Sequence, residues 1–158
     1  MQLKWILSHA RGYLELGMVE EAAAELERVP ALSVSEFDVR VLRALVLQEQ
    51  KHWVRLVPIA AGLVREKPDD AGWWIMWAYA TRRSASLAAA EKILIEAETN
   101  HPKEATIQFN LGCYACQRGD LATARARVDH AIALDEHFSE AAATDPDLAP
   151  LRESEAKA

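Results

Sequence analysis

Apolar side chains recur three and four residues apart along most of this chain, the spacing that draws a single stripe down an α-helix. One stripe runs through Ala22, Leu26 and Val29, another through Ala90, Leu94 and Ala97, a third through Ala124, Val128 and Ala131. The stripes stand at a fixed offset. Sliding the sequence against itself by 34 residues brings four segments into register without a gap: 3–36, 37–70, 71–104 and 105–138. Small residues recur at Ala10, Ala44, Ala78 and Gly112, where only a small side chain lets two helix backbones touch. A turn position follows at Gly17, Lys51, Ala85 and Gly119, then an apolar or aromatic residue at Val19, Trp53, Leu87 and Leu121. Glycine at the turn allows the positive φ with which a chain leaves one helix for the next.

This pattern predicts eight helices, over about 3–15, 19–29, 36–49, 53–66, 70–83, 87–99, 104–117 and 121–135. Pro68 and Pro102 close the second and third segments, and Asp69, Asp70 and Glu104 place negative charge at the helix starts that follow. Three departures concern helix ends. Leu56 replaces the small residue of its column, with Pro58 and Gly62 in the same helix, so that helix should start late or kink. Pro30 should end its helix early and leave 31–35 as a longer loop. Glu136 stands where a closing proline is expected, which should let the last helix run on. Beyond it, 139–143 reads as a short cap and Asp145-Pro146-Asp147 as a turn or helix start. Phe138, Leu148 and Leu151 are the candidates to cover the last repeat's open apolar face, and 153–158 should fray.

Asn110-Leu111-Gly112, Gly119-Asp120-Leu121, Ala124, Ala131 and Leu134-Asp135 in the fourth segment resemble the tetratricopeptide repeat family. Trp74, Trp77, Ala78, Ala90, Ala97 and Pro102 carry the resemblance in the third segment, and Ala10, Tyr13, Gly17, Glu21-Ala22 and Leu26 in the first. It covers roughly 3–138 and points to the short bacterial members of this class. The resemblance implies an all-α fold: a right-handed α-α superhelix, or solenoid, of four helix pairs with a short C-terminal capping helix. Residues 1–144 would form the array and 145–158 a capping turn and tail.

In this family the first helix of each pair lines a concave surface that takes extended or helical peptides. The register then places a peptide-binding groove along Arg11, Leu45, Ile75, Tyr79, Arg82, Arg83, Phe109, Asn110 and Cys113. Its middle is apolar, with Val41, Leu45, Ile75, Tyr79 and Phe109, while Arg11, Arg82 and Arg83 suit an acidic group. The expected ligand is a segment with apolar anchors and an acid. The carboxylate clamp of some chaperone-binding relatives is not expected, because its places hold Leu7, Arg11, Leu42 and Met76, and Asn110 alone fits.

A net charge of −6 argues against nucleic acid as a general partner, since phosphates call for a cationic surface. No apolar run approaches the roughly 20 residues of a bilayer span, and 1–17 lacks a signal peptide's continuous apolar segment, so no membrane insertion and a cytoplasmic location are expected. Cys113-Tyr114-Ala115-Cys116 has a redox or zinc spacing, but it lies inside a helix with no second pair and no grouped histidines. It reads as two small soft residues. Trp74 and Trp77 fall on columns between helices and should pack there. No phosphate loop, nucleophile elbow or calcium ladder is present, so neither catalysis nor a metal or cofactor is expected. The reading is a protein-interaction scaffold, monomeric or homodimeric, for a protein or peptide partner. The alternative is a small dedicated chaperone for a secreted or membrane-associated client, dimerising if Trp5, Ile6 and Leu7 form an exposed apolar face.

Overall fold

A computed structural model describes residues 2–157, which form ten α-helices and two 3-10 turns, with no strand among them. None of these helices is long and apolar enough to cross a membrane. The chain divides into two compact units, one up to Pro68 and one from Asp69.

The first unit holds α1 (Gln2–Glu15), α2 (Val19–Glu27), α3 (Phe37–Glu49) and α4 (Trp53–Glu66). Helix α1 packs on both α2 and α3, and α3 on α4. The stripes meet in a core of Ile6, Ala10, Ala22, Leu26, Val29, Val39, Leu42 and Val46. Side chains of this size each contribute roughly 1.5–3 kcal/mol when fully buried, the alanines less. Glu25 is buried beside them and is held by Arg28, whose NH1 donates to both carboxylate oxygens at 2.8 and 2.9 Å.

The second unit holds α5 (Ala71–Ser84), α6 (Leu87–Asn100), α7 (Ala105–Gln117), α8 (Leu121–Leu134), α9 (Phe138–Thr144) and α10 (Ala149–Ala156). Here Gly112 explains its column directly. A Cβ at this position would lie 2.9 Å from Val128 Cγ2, 3.2 Å from Arg127 Cβ and 3.3 Å from the Ala124 carbonyl. Glycine is what lets α7 and α8 approach this closely. Behind that contact Gln108, fully buried, donates through Nε2 to Glu98 at 2.7 Å and accepts from Arg127 NH1 at 2.7 Å. Arg127 also pairs with Glu98, so α6, α7 and α8 share one satisfied polar network.

Three of the four turn positions close by one mechanism. Gly17, Lys51 and Gly119 have φ of 72°, 57° and 83°. Each donates to the carbonyl three residues back, and the next N–H reaches five back: Met18 to Tyr13, His52 to Leu47, Asp120 to Ala115. This is the Schellman ending, and Lys51 makes it without glycine. Ala85 does not adopt it. Its φ is −131°, its N–H returns to Thr81, and Ser86 Oγ caps α6 by accepting from the Ala89 N–H. Asp70, Glu104 and Asp120 likewise cap α5, α7 and α8. Helices α2, α3 and α4 begin without a side-chain cap.

Three helix ends differ from expectation, while α2 ends before Pro30 and a longer connection follows, as expected. Helix α4 starts promptly at Trp53 with Pro58 inside it, leaving the carbonyl of solvent-exposed Val54 without its helical donor. The loop after Pro30 contains a 3-10 turn, Ala31–Ser33. Helix α8 stops at Leu134 despite the missing proline, because the Asp135 carboxylate caps the next turn, accepting from the His137 N–H at 3.0 Å. The tail does not fray at 153. Helix α10 runs to Ala156, and Glu155 pairs with Arg125 of α8. Phe138, Leu148 and Leu151 do cover the last pair: Phe138 stacks on Phe109 with ring centroids 4.8 Å apart, and both leucines are buried.

Candidate functional site

Helix α5 carries two arginines in its last turn, where the helix dipole favours positive charge. They turn to different neighbours. Arg83 donates through NH2 to the Tyr79 hydroxyl at 2.8 Å and lies 4.9 Å above the same ring. Tyr79 is 41% exposed, so this pair offers an aromatic edge and a guanidinium to solvent. Arg82 lies 5.1 Å from the Tyr114 ring centroid and donates through NH1 to Asp147 Oδ2 at 2.6 Å. That bond holds its pKa above an already high ordinary value, against the opposing effect of burial.

Helix α7 supplies the facing wall with Asn110, half-buried, and Cys113, 3% exposed. Burial pushes the Cys113 thiol up to about 12, helped by Asp145 and Asp147 and opposed by Arg82. Burial also raises the Tyr114 hydroxyl to about 12. The third wall is the 3-10 turn Pro146–Leu148 with its N-cap Asp145, whose Oδ1 accepts from the Asp147 N–H at 2.8 Å. Gln117 Nε2 donates to the Asp147 carbonyl at 2.7 Å. Arg152 NH1 holds the segment from behind, donating to the Ala142 and Asp145 carbonyls, each at 2.9 Å.

These walls enclose a cavity of about 320 Å³. Tyr79, Arg82, Arg83, Asn110 and Cys113 from the sequence-derived groove line it together. Ile75 is half-buried on α5 and does not reach it, and Phe109 is buried against Phe138. Arg11 and Leu45 belong to the first unit, Arg11 exposed on α1 and Leu45 packed against that unit's core. The lining residues that the sequence-derived groove lacks are Tyr114, Asp145, Pro146 and Asp147. The Asp-Pro-Asp string signals a turn and Leu148 and Leu151 a return onto the last pair, but no pattern in the chain places the two carboxylates beside Arg82 and Cys113.

The cavity presents guanidinium, phenol and amide donors on one side and carboxylates on the other. Cys113 Sγ and one carboxylate oxygen each of Asp145 and Asp147 lie within 4.8 Å of one another, a spacing that suits a metal ion. The Arg82 guanidinium already meets the Asp147 charge there. Cys113 and Cys116 are buried and unbridged. The first unit has a separate cavity of about 340 Å³ among α2, α3 and α4, rimmed by Glu27, Arg43, Gln50, His52 and Arg55. Of Trp5, Ile6 and Leu7, only Trp5 is broadly exposed at 62%; Ile6 is buried and Leu7 packs against the core.

Helix pairs on a 34-residue register, with small residues where helices touch and left-handed turns closing three of the four pairs, define a tetratricopeptide-type all-α array. Solved structures share this fold. MamA (41 to the end) from Desulfovibrio magneticus RS-1 superposes with a TM-score of 0.75 at 19% identity, over 84% of this chain and 75% of that one. TTC0263, a thermophilic tetratricopeptide protein of Thermus thermophilus, gives 0.70 at 18% identity over 98% and 82%. YrrB, a tetratricopeptide protein described as having an unusual peptide-binding site, gives 0.70 at 18% identity over 84% and 70%. No protein-family model and no curated protein matches the sequence.

Proposed function

We propose that this chain is a non-catalytic protein-interaction scaffold that binds a peptide or protein segment on the first helices of its pairs, centred on the second unit's cavity. The observation that carries this reading is the convergence of Tyr79, Arg82, Arg83 and Asn110 on one opening. Aromatic and arginine side chains beside a pocket are what interface hot spots favour. The cavity offers fixed donors for an acidic group and a half-open aromatic face for an apolar one. Peptide binding in YrrB, on the same fold, is consistent with this use. Arg11 and Leu45 sit in the same repeat column as Tyr79 and Cys113, and we assign them ligand contacts within the first unit.

Selection of peptides from a random library on the whole chain tests the proposal. Tyr79 and Arg83 bond to each other at the surface, so replacing both with alanine leaves the core untouched. The double variant should weaken selected peptides at least tenfold. Unchanged affinity in a folded double variant would place the binding surface elsewhere.

A further inference from the structure

The cavity's third wall comes from the chain's own C-terminal segment, and its contacts have the chemistry expected of a ligand. Asp147 gives an acid to Arg82, its carbonyl takes the Gln117 amide, and Leu148, next in sequence, is 1% exposed on a turn that packs against α7. Arg82, Cys113 and Gln117 all belong to the first helices of their pairs, the faces proposed above for a partner. An acid followed by an aliphatic anchor therefore already occupies part of that surface.

The segment is weakly tied to the rest of the unit. Helix α9, before it, has seven residues and buries none, and α10, after it, has eight and buries only Leu151. Helices this short do not persist without tertiary support. Pro146 is exposed, and Asp145 and Asp147 are half-exposed. The contacts that hold it and its flanking helices are few: Arg82, Gln117, Leu148 and Leu151, the Phe138–Phe109 stack and the Glu155–Arg125 pair, with Arg152 bracing the turn from within the segment. Elements of this kind open locally at low cost compared with the helices beneath them.

We infer that residues 145–148 act as a tethered ligand, and that a partner segment with an aspartate or glutamate followed directly by leucine displaces them from Arg82 and Gln117. This rests on the binding reading proposed above and adds the chemistry of the ligand and a built-in competitor. The tether masks the surface until a partner of higher affinity arrives, and it lowers apparent affinity by the fraction of molecules in which the turn is closed.

A labelled synthetic peptide of residues 143–151, added to the whole chain and followed by fluorescence anisotropy, is the probe. Two variants loosen the tether by different routes: Asp147→Asn removes the charge partner of Arg82, and Arg152→Ala removes the clasp behind the turn without touching the cavity. Each should bind the peptide about tenfold more tightly than the unaltered chain. The same peptide with asparagine in place of its Asp147 should lose that gain, and peptide binding should speed amide exchange at 145–148. Equal affinity for all three chains, with helical content retained, overturns the inference. If library peptides depend on Tyr79 and Arg83 yet ignore both tether variants and the 143–151 peptide, the scaffold reading stands and the tether falls. If no peptide binds any of the chains, both fall.

Discussion

Lys51 and Gly119 occupy the same place in their repeats, with φ of 57° and 83°, and only one of them is glycine. A side chain in this region costs about 1–2 kcal/mol against glycine, partly offset by glycine's greater freedom when unfolded. Lys51→Gly should therefore raise stability slightly, by about 0.5 kcal/mol, and Gly119→Ala should lower it by about 1 kcal/mol. Urea midpoints would show the two shifts with opposite signs; shifts of the same sign would refute the shared turn. The cysteines give a second residue-scale outcome. With both thiols buried and Cys113 pushed up to about 12, the folded chain at pH 8 should resist a disulfide-forming reagent and react with two equivalents only after denaturation. Fast labelling of the native chain would contradict that burial. At this scale the sequence was most legible where geometry leaves one choice. Gly112 stands in a column of small residues because a β-carbon there meets Val128. Ala85 was not legible, because its column predicts a Schellman ending and Ser86 supplies a different cap.

Helix positions follow from the stripes to within a few residues, and two of the misses share a cause. Proline in the sequence reads as a terminator, whereas α4 tolerates Pro58 in its interior and α8 ends on an aspartate cap with no proline. The network of Glu98, Gln108 and Arg127 is invisible in one dimension, since its members lie on three helices and Gln108 stands in the column that Trp74 fills with an aromatic ring. It makes stability depend on acidity. The hydrogen bond from Arg127 holds the Glu98 carboxyl below its ordinary value, with help from Gln108 and against desolvation. A depressed folded pKa contributes stability that is full above the unfolded value and disappears as pH falls through the folded one. The melting temperature should therefore decline below about pH 4.5. Glu98→Gln should flatten that decline while leaving Arg127 a partner of similar shape. An acid limb of unchanged steepness in the variant would show that the protons bind elsewhere.

Across the whole chain, the two units begin their helices differently. Helices α5 to α8 each start on a side chain that accepts a backbone N–H, whereas α2, α3 and α4 do not. Each such cap contributes about 1 kcal/mol. Amides of α3 and α4 should thus exchange faster than those of α6 and α7 in hydrogen-exchange mass spectrometry, and uniform protection would argue against the difference. The repeat register displays the all-helical architecture plainly, because it samples the eight helices from α1 to α8. The cavity was legible only in part: its repeat-borne walls follow from the register, but Asp145 and Asp147 lie past the last repeat, where periodicity has nothing to say. The same register explains how the array stops. Helix α9 begins at Phe138, where a fifth hairpin would open, yet it halts after seven residues. The chain then doubles back through Pro146, and α10 lies on α7 and α8. A grafted hairpin meant to dock on α7 and α8 would find α10 already there, so lengthening the array at that face means first deleting everything after Asp145.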